Sequence, residues 1–350
     1  MLEPAVFSIA AATGHWYSTR PIGNSALYVS RQTTRCFMDI LDNLEALQHT
    51  SYRKVVLALG NFDGIHRGHL AIFCQVVAQA KAIGGTSMVF TFDPHPSRVL
   101  APATAPPLLT TFEQKMRLLA DVGLAVGLRI PFTEAFARQQ PLAFIRDVLC
   151  QQIGVHDLVV GHDFRFGHDR AGTVELLQAQ ATTYGYGVTV VPAITQDGMV
   201  VSSTNIRHLI EQGEVEATAR LLGRFYAIGG PVVEGFRRGA SLGFPTANIQ
   251  SVNEIIPRTG VYAVRVEWEG RHYAGVANVG YNPTFGNAGL SVEAHLFDFS
   301  ADLYGATLSV EFVKKIRHEC KFASVHELAA QIARDSEKAR AIHAQLDATA

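Results

Sequence analysis

A chain of 350 residues exceeds one average domain and predicts two, each of roughly 150 to 200 residues. With 48% hydrophobic and 17% charged residues it can build sizeable cores, which argues against extensive disorder. Thirty Lys and Arg against 31 Asp and Glu leave a net charge of −1, which argues against nucleic acid held by bulk electrostatics. Cys36, Cys74, Cys150 and Cys320 are far apart and form no CxxC pair, so neither a zinc knuckle nor a disulfide framework is indicated and a reducing cytoplasm fits. No stretch has the apolar length of a membrane span. The opening MLEPAVFSIAAATG has a short apolar run but carries Glu3 and no basic residue before Arg20, unlike a signal peptide.

Residues 1–37 show no sustained period and read as an extension, disordered or preceding a true start at Met38. From Lys54, short β-branched runs alternate with helical stretches. KVVLALGNF, SMVFTF, VGLRIPF, DLVVGHDF and VTVVPAI read as buried strands. Thr111 precedes the helix FEQKMRLLADVG, and Pro141 opens LAFIRDVLCQQIG at a first-turn position. Such alternation predicts a parallel sheet covered on both faces, with ligands at the carboxyl ends of its strands. Past about residue 224 the period changes. FYAIGGPVVEGF, GVYAVRVEWEG, RHYAGVANVG, LSVEAHLFDF and ATLSVEFVKKI are strand-like, with a hairpin turn at Glu269 and Gly270, and predict a small antiparallel barrel. A last helix starts after Ser324, with Glu327 completing a capping box and Leu328, Ile332 and Ala339 facing the barrel.

The densest chemistry is GNFDGIHRGH at 60–69, where the first strong strand ends and a helix begins near Arg67. Gly60, Gly64 and Gly68 let the backbone approach a ligand, and the helix N-terminus offers N–H groups to a phosphate. His66 and His69, three apart across the first turn, can both donate to phosphate oxygens. Two histidines merely flanking a tight turn would look the same in isolation. A zinc site is the weaker alternative, since no HExxH or third ligand follows.

HxGH after such a strand resembles the nucleotidylyltransferase superfamily, which transfers AMP or CMP to a phosphate or similar acceptor. TFDPHP (91–96), VGHDFRFG (160–167) and SSTNIR (202–207) follow in order, and together these motifs resemble the bacterial FAD synthetase module. The resemblance implies that His66 and His69 hold the ATP triphosphate within the turn of Gly60, Asn61, Phe62, Gly64 and Gly68. It implies that Ser203, Thr204 and Arg207 contact phosphates from another helix start, and that Asp163, Phe164 and Phe166 hold the flavin end of FMN. By themselves Phe164 and Phe166 alternate like ordinary packing residues.

A chain that makes FAD from riboflavin also needs a kinase. GFRRGASLGFPTAN at 235–248 offers backbone N–H groups and the side-chain oxygens of Thr246 and Asn248. Alone it would pass for a glycine-rich turn. GVYAV, NVGYNPTFG, VEAHLFDF, LYG and KIRHECKF follow in an order that resembles riboflavin kinases. That resemblance implies phosphate binding at Gly235, Gly239, Gly243 and Pro245, Mg²⁺ and ATP at Thr246 and Asn248, and flavin contacts at Arg317 and Glu319. It makes Glu293 the base that activates the ribityl hydroxyl. Glu293 also sits among alternating apolar residues, where a carboxylate needs a function or a partner such as a salt bridge. No GxxxxGK[ST], GxGxxG, HRD or DFG occurs.

The chain departs from the pattern at Glu234, Ala240 and His162. The first two bear on ATP affinity at the kinase and the third on flavin contact. The expected architecture is a Rossmann-like α/β domain over 38–216, then a riboflavin kinase-like β-barrel with a terminal helix over 222–350. The alternative is an FMN adenylyltransferase whose barrel binds flavin without phosphorylating it. Expected partners are riboflavin, FMN, FAD and ATP with Mg²⁺, without nucleic acid or membrane, in a cytoplasmic monomer or weak homo-oligomer.

Overall fold

The computed structural model describes residues 19–22, 26–29, 38–235, 243–281 and 290–349. Thr19–Ile22 and Ala26–Val29 pair as a short antiparallel ribbon. The first layered unit is a six-stranded, all-parallel sheet of β1 (Asp39–Leu41), β2 (Val55–Leu59), β3 (Ser87–Phe92), β4 (Val126–Ile130), β5 (Val155–Gly161) and β6 (Gly187–Val191). Every residue of β2 is buried, as a strand covered on both faces requires. Val56, Ala58, Val89 and Val159 pack under α1 (Arg67–Ile83) and α2 (Phe112–Val122). Leu57, Leu59, Phe90 and Leu158 face the helix Phe144–Ile153 and α3 (Val174–Tyr184). β1 is a strand that the sequence pattern did not predict. Its three residues are too few to carry a period, and pairing to β4 decides their conformation.

The spatial order β6-β5-β2-β3-β4-β1 places the site. From β2 the chain proceeds outward through β3 and β4, then returns to lay β5 on the opposite side of β2. The crevice beyond the carboxyl ends of β2 and β5 is therefore a topological switch point. GNFDGIH and HDFRF both empty into it.

Two helices, α4 (Ser203–Gln212) and α5 (Val215–Leu222), lead into a closed antiparallel barrel. Its strands are β7 (Tyr226–Val233), β8 (Ala247–Ile249), β9 (Gly260–Trp268), β10 (Arg271–Tyr281), β11 (Leu290–Leu296) and β12 (Thr307–Arg317), ordered β7-β8-β11-β10-β9-β12 with β12 returning to β7. β7 alternates buried and half-buried residues along its length. The Glu269–Gly270 turn has both residues at positive φ, +48° and +75°, as a two-residue hairpin between Trp268 and Arg271 demands. β8 belongs to a stretch the sequence offered as a glycine-rich loop. Three residues are too short a run to declare a period, but pairing on both edges makes them the strand that links β7 to β11.

The terminal helix α6 (Val325–Thr349) lies across β9, β10 and β12 with Ala339 fully buried against Val261, Ala263 and Val313. Ser324 Oγ accepts from Glu327 N, while the Glu327 carboxylate accepts from Ala323 N, one residue before the expected capping-box partner. Arg317 Nε donates to the buried Asp335 and pins the helix to β12.

The seam between the two units is packed and polar at once. Leu109, Ile206, Ile210 and Leu221 share one apolar cluster with Tyr226, Ile228, Val264 and Phe312 of the barrel. Beside it Asn253 and Gln114 exchange two side-chain hydrogen bonds, 2.7 and 3.1 Å, and Glu254 accepts from Arg98 and from Leu108 N. Among the described residues no helix is long and apolar enough to cross a membrane.

Candidate active sites

The turn after β2 is drawn tight. Phe62, Gly64 and Ile65 all have positive φ, +50°, +82° and +41°, and strain of this kind persists where the surroundings over-determine the backbone. Here they do. The buried Asp63 accepts from Leu109 N at 3.0 Å and Thr110 N at 3.3 Å, and pairs with Arg207 Nη2 at 2.5 Å. Ser203 Oγ donates to Asp63 O, which ties the start of α4 to the same turn. Buried Lys115 on α2 donates to Asn61 O at 2.9 Å. Arg224, just before β7, donates to the carbonyls of Gly64 and Ile65, each at 2.7 Å.

That bracing fixes the two histidines. His66 is the N-cap of α1, its Nδ1 accepting from His69 N at 3.3 Å, and the two rings stack with centroids 3.5 Å apart. An accepting Nδ1 puts the proton of a neutral imidazole on Nε2, so His66 presents an N–H donor away from the helix. Gly68 leaves the space, since a Cβ there would stand 3.1 Å from the His66 ring. Burial pushes the His66 pKa down to about 4, and Arg224 adds to the shift. Burial, His66, Lys115 and Arg224 hold His69 well below the ordinary histidine range. Among the described residues the buried Nδ1 of His69 has no hydrogen-bond partner. Two neutral imidazoles and a helix N-terminus can bind anionic oxygens without taking up a proton.

The pH dependence of stability follows with a definite sign. Between the ordinary value of 6.5 and the folded value of about 4, the unfolded chain binds a proton at His66 that the folded chain refuses. Stability is therefore lost as pH falls through that window. His66 alone should cost about 2 kcal/mol on going from pH 7 to pH 5, read from urea midpoints, with His69 and His95 acting in the same sense. A midpoint that does not fall would contradict a neutral, buried His66.

The other residues expected here divide. Thr204 is exposed at the start of α4. Arg207 is mostly buried, its Nε bonded to Pro107 O and Nη2 to Asp63. Asp163 stands exposed beyond β5, with His162 beside it. Phe164 stacks on Phe166 at 5.7 Å, but Phe166 itself is buried in the sheet's core against Phe144. Asp63, Lys115 and Arg224 escaped the sequence reading. A signal existed for two of them: an acidic residue inside the phosphate turn, and a lysine at i+3 from Phe112 on the apolar face of its helix.

In the barrel, Asn248 on β8 lies directly opposite Glu293 on β11, and Glu293 opposite Asn278 on β10. Their strand neighbours Ala247, Ile249, Val292, Ala294, Ala277 and Val279 point into the core, so this polar row lies on the outer face. Thr246 lies two residues before Asn248, just outside β8. His295 Nδ1 donates to Pro245 O at 2.7 Å and straps that segment to β11. Glu319 reaches the same place, since a Cβ on Gly280 would stand 2.7 Å from its Oε1 and 3.1 Å from Asn278 Nδ2. Arg317 is instead engaged with Asp335 and the His318 carbonyl. Gly243 takes a left-handed turn at φ +84°, and Glu234 is exposed after β7. Gly239 and Ala240 lie outside the described residues.

Gly235 lies against this row. A Cβ there would stand 2.8 Å from Asn248 Oδ1 and closer to the rest of the amide. Gly235→Ala should therefore displace the Asn248 side chain from this row.

Comparison with known proteins matches each half of the chain to a family. Residues 48–205 match the FAD synthetase family and residues 222–343 the riboflavin kinase family. The bifunctional riboflavin kinase/FMN adenylyltransferase of Escherichia coli K12 is 38% identical over 304 residues, covering 87% of this chain and 97% of that protein. Its Bacillus subtilis counterpart is 40% identical over 291 residues, covering 82% and 92%. A Streptococcus pneumoniae crystal structure described as a macrolide-efflux protein superposes with a TM-score of 0.79 at 31% identity, covering 87% of this chain and 98% of that one. The curated relatives carry both activities in their names, which does not favour an inactive barrel. With both halves matched in order along one chain, the protein belongs to the bifunctional riboflavin kinase/FMN adenylyltransferase family, and it phosphorylates riboflavin to FMN and adenylylates FMN to FAD.

Proposed function

We propose that adenylyl transfer takes place in the crevice over β2 and β5, within residues 38–216, and riboflavin phosphorylation on the outer face of the barrel, within 222–350. The observation that carries the first assignment is the stacked, neutral pair at the start of α1, with His69 Nδ1 buried and unpartnered. A triphosphate oxygen would satisfy that nitrogen. His66 Nε2–H donates to a neighbouring oxygen, and Arg207, held at Nε and Nη2, keeps Nη1 for another. Ser203 and Thr204 line the approach from α4. The FMN phosphate is already a nucleophile near neutral pH, so it attacks the α-phosphorus directly and pyrophosphate leaves without a covalent enzyme intermediate. The chain's contribution is in-line placement and stabilisation of charge in the transition state.

In the barrel Glu293 takes the proton from the terminal ribityl hydroxyl as its oxygen attacks the γ-phosphorus of ATP, the bond to the β,γ-bridging oxygen breaks and ADP leaves. Thr246 Oγ1 and Asn248 Oδ1 are hard oxygen donors two residues apart, with the Glu293 carboxylate across from Asn248, a donor chemistry that fits Mg²⁺. Bound there, Mg²⁺ would neutralise phosphate charge. Asp163 and Phe164 hold FMN at the first site, and Glu319 lies where flavin reaches the second. The same reading makes the enzyme a cytoplasmic monomer or weak homo-oligomer that binds neither nucleic acid nor membrane.

Chromatography of flavin-free protein incubated with riboflavin, ATP and Mg²⁺ tests the whole scheme. FMN should rise and then give way to FAD. FMN that accumulates without FAD would remove the histidine crevice from the reaction, and untouched riboflavin would remove the barrel.

A further inference from the structure

We propose that Arg224, on the segment that enters the kinase barrel, is a positioning residue for FMN adenylylation at the other site. The inference rests on the reading that adenylyl transfer takes place at the histidine turn. Arg224 lies beyond the 48–205 FAD synthetase match and inside the 222–343 riboflavin kinase match. Its guanidinium nonetheless spans the carbonyls of Gly64 and Ile65, with Nη2 and Nη1 each 2.7 Å away. Those are the two left-handed residues immediately before His66. A planar fork on two successive carbonyls fixes both peptide planes, which an ammonium on a flexible stem does less well. The second peptide leads directly to the His66 nitrogen. Fork, turn and imidazole therefore move as one unit.

The charge matters as well as the shape. His66 is faced by Arg224 from the segment after α5, by Asp163 from the loop after β5 and by His69 on its own helix. His69 is faced by His66, by Lys115 on α2 and by Arg224. Arg224 is the cation that acts on both rings, and it disfavours the imidazolium form in each. It thus keeps the pair in the neutral donor state while adding positive potential where the triphosphate would lie.

The test uses Arg224→Gln and Arg224→Lys in the full chain, with both activities measured on each preparation. Arg224→Gln should lower kcat for FAD formation from FMN by about 30-fold with KM for ATP within about threefold. It should also move the acid limb of that activity to higher pH, because the histidines protonate more readily. Arg224→Lys keeps the charge and loses the fork, so kcat should fall by about tenfold with the acid limb unmoved. Riboflavin phosphorylation should be unchanged in both, which reports that the chain is folded. The proposal is overturned if Arg224→Gln retains FAD formation within about threefold and the same pH profile, or if both activities fall together. His69→Ala separates the two levels of inference. If it too leaves FAD formation intact, the assignment of the crevice fails; if it abolishes FAD formation while Arg224→Gln does not, the positioning role alone fails.

Discussion

Glu293→Gln should lower riboflavin phosphorylation by about a thousandfold while FMN adenylylation stays within about twofold of the parent. Glutamine keeps the size and one oxygen of the carboxylate but cannot accept the hydroxyl proton near neutral pH. Register places position 293 between Asn248 and Asn278, and a neutral amide of the same shape leaves that row in place. The loss should therefore appear in kcat, with KM for riboflavin changed little. Equal loss of FAD formation would mean that the substitution damages the chain, and full retention of kinase activity would remove Glu293 as the base.

His69→Ala should do the reverse, cutting FAD formation from FMN by about a hundredfold or more while riboflavin phosphorylation continues. It is a cleaner test than His66→Ala. The His66 ring caps α1, so its removal also costs about 1 kcal/mol of helix stability, whereas His69 contributes only its backbone N–H to that cap. His69→Ala deletes the unpartnered buried nitrogen and opens space beside Phe62, whose ring meets it edge-on at 5.2 Å. Its effect should fall mainly on kcat, because the interaction is expected to tighten as negative charge builds on the transferred phosphoryl group. An effect confined to KM for ATP would reduce His69 to a ground-state binder.

What was legible in the sequence was what local pattern controls. The buried strands after Lys54, the capped helix at Thr111, the hairpin at Glu269–Gly270 and the change of period near the barrel all follow from runs long enough to have a period. β1 and β8 were not legible, because three residues carry no period and partners distant in sequence decide their conformation. The same distinction separates the site residues. His66 and His69 lie in one contiguous motif. Lys115 and Arg224 lie 54 and 160 residues from the turn carbonyls they bind, and nothing in either local stretch says which backbone it will reach. Arg317 is likewise held by Asp335 of the terminal helix, a partner that its local motif does not announce.

The seam has a consequence for how such a chain can change over generations. Leu109 and Ile206 share their burial with Tyr226 and Phe312, so a gene split between the two halves would expose apolar surface on both products at once. The Asn253–Gln114 pair would be left unmatched as well. Recombination that swaps one half for a distant relative's meets the same obstacle, because complementary positions must arrive together. Drift at the seam positions of either half is thus constrained by the other.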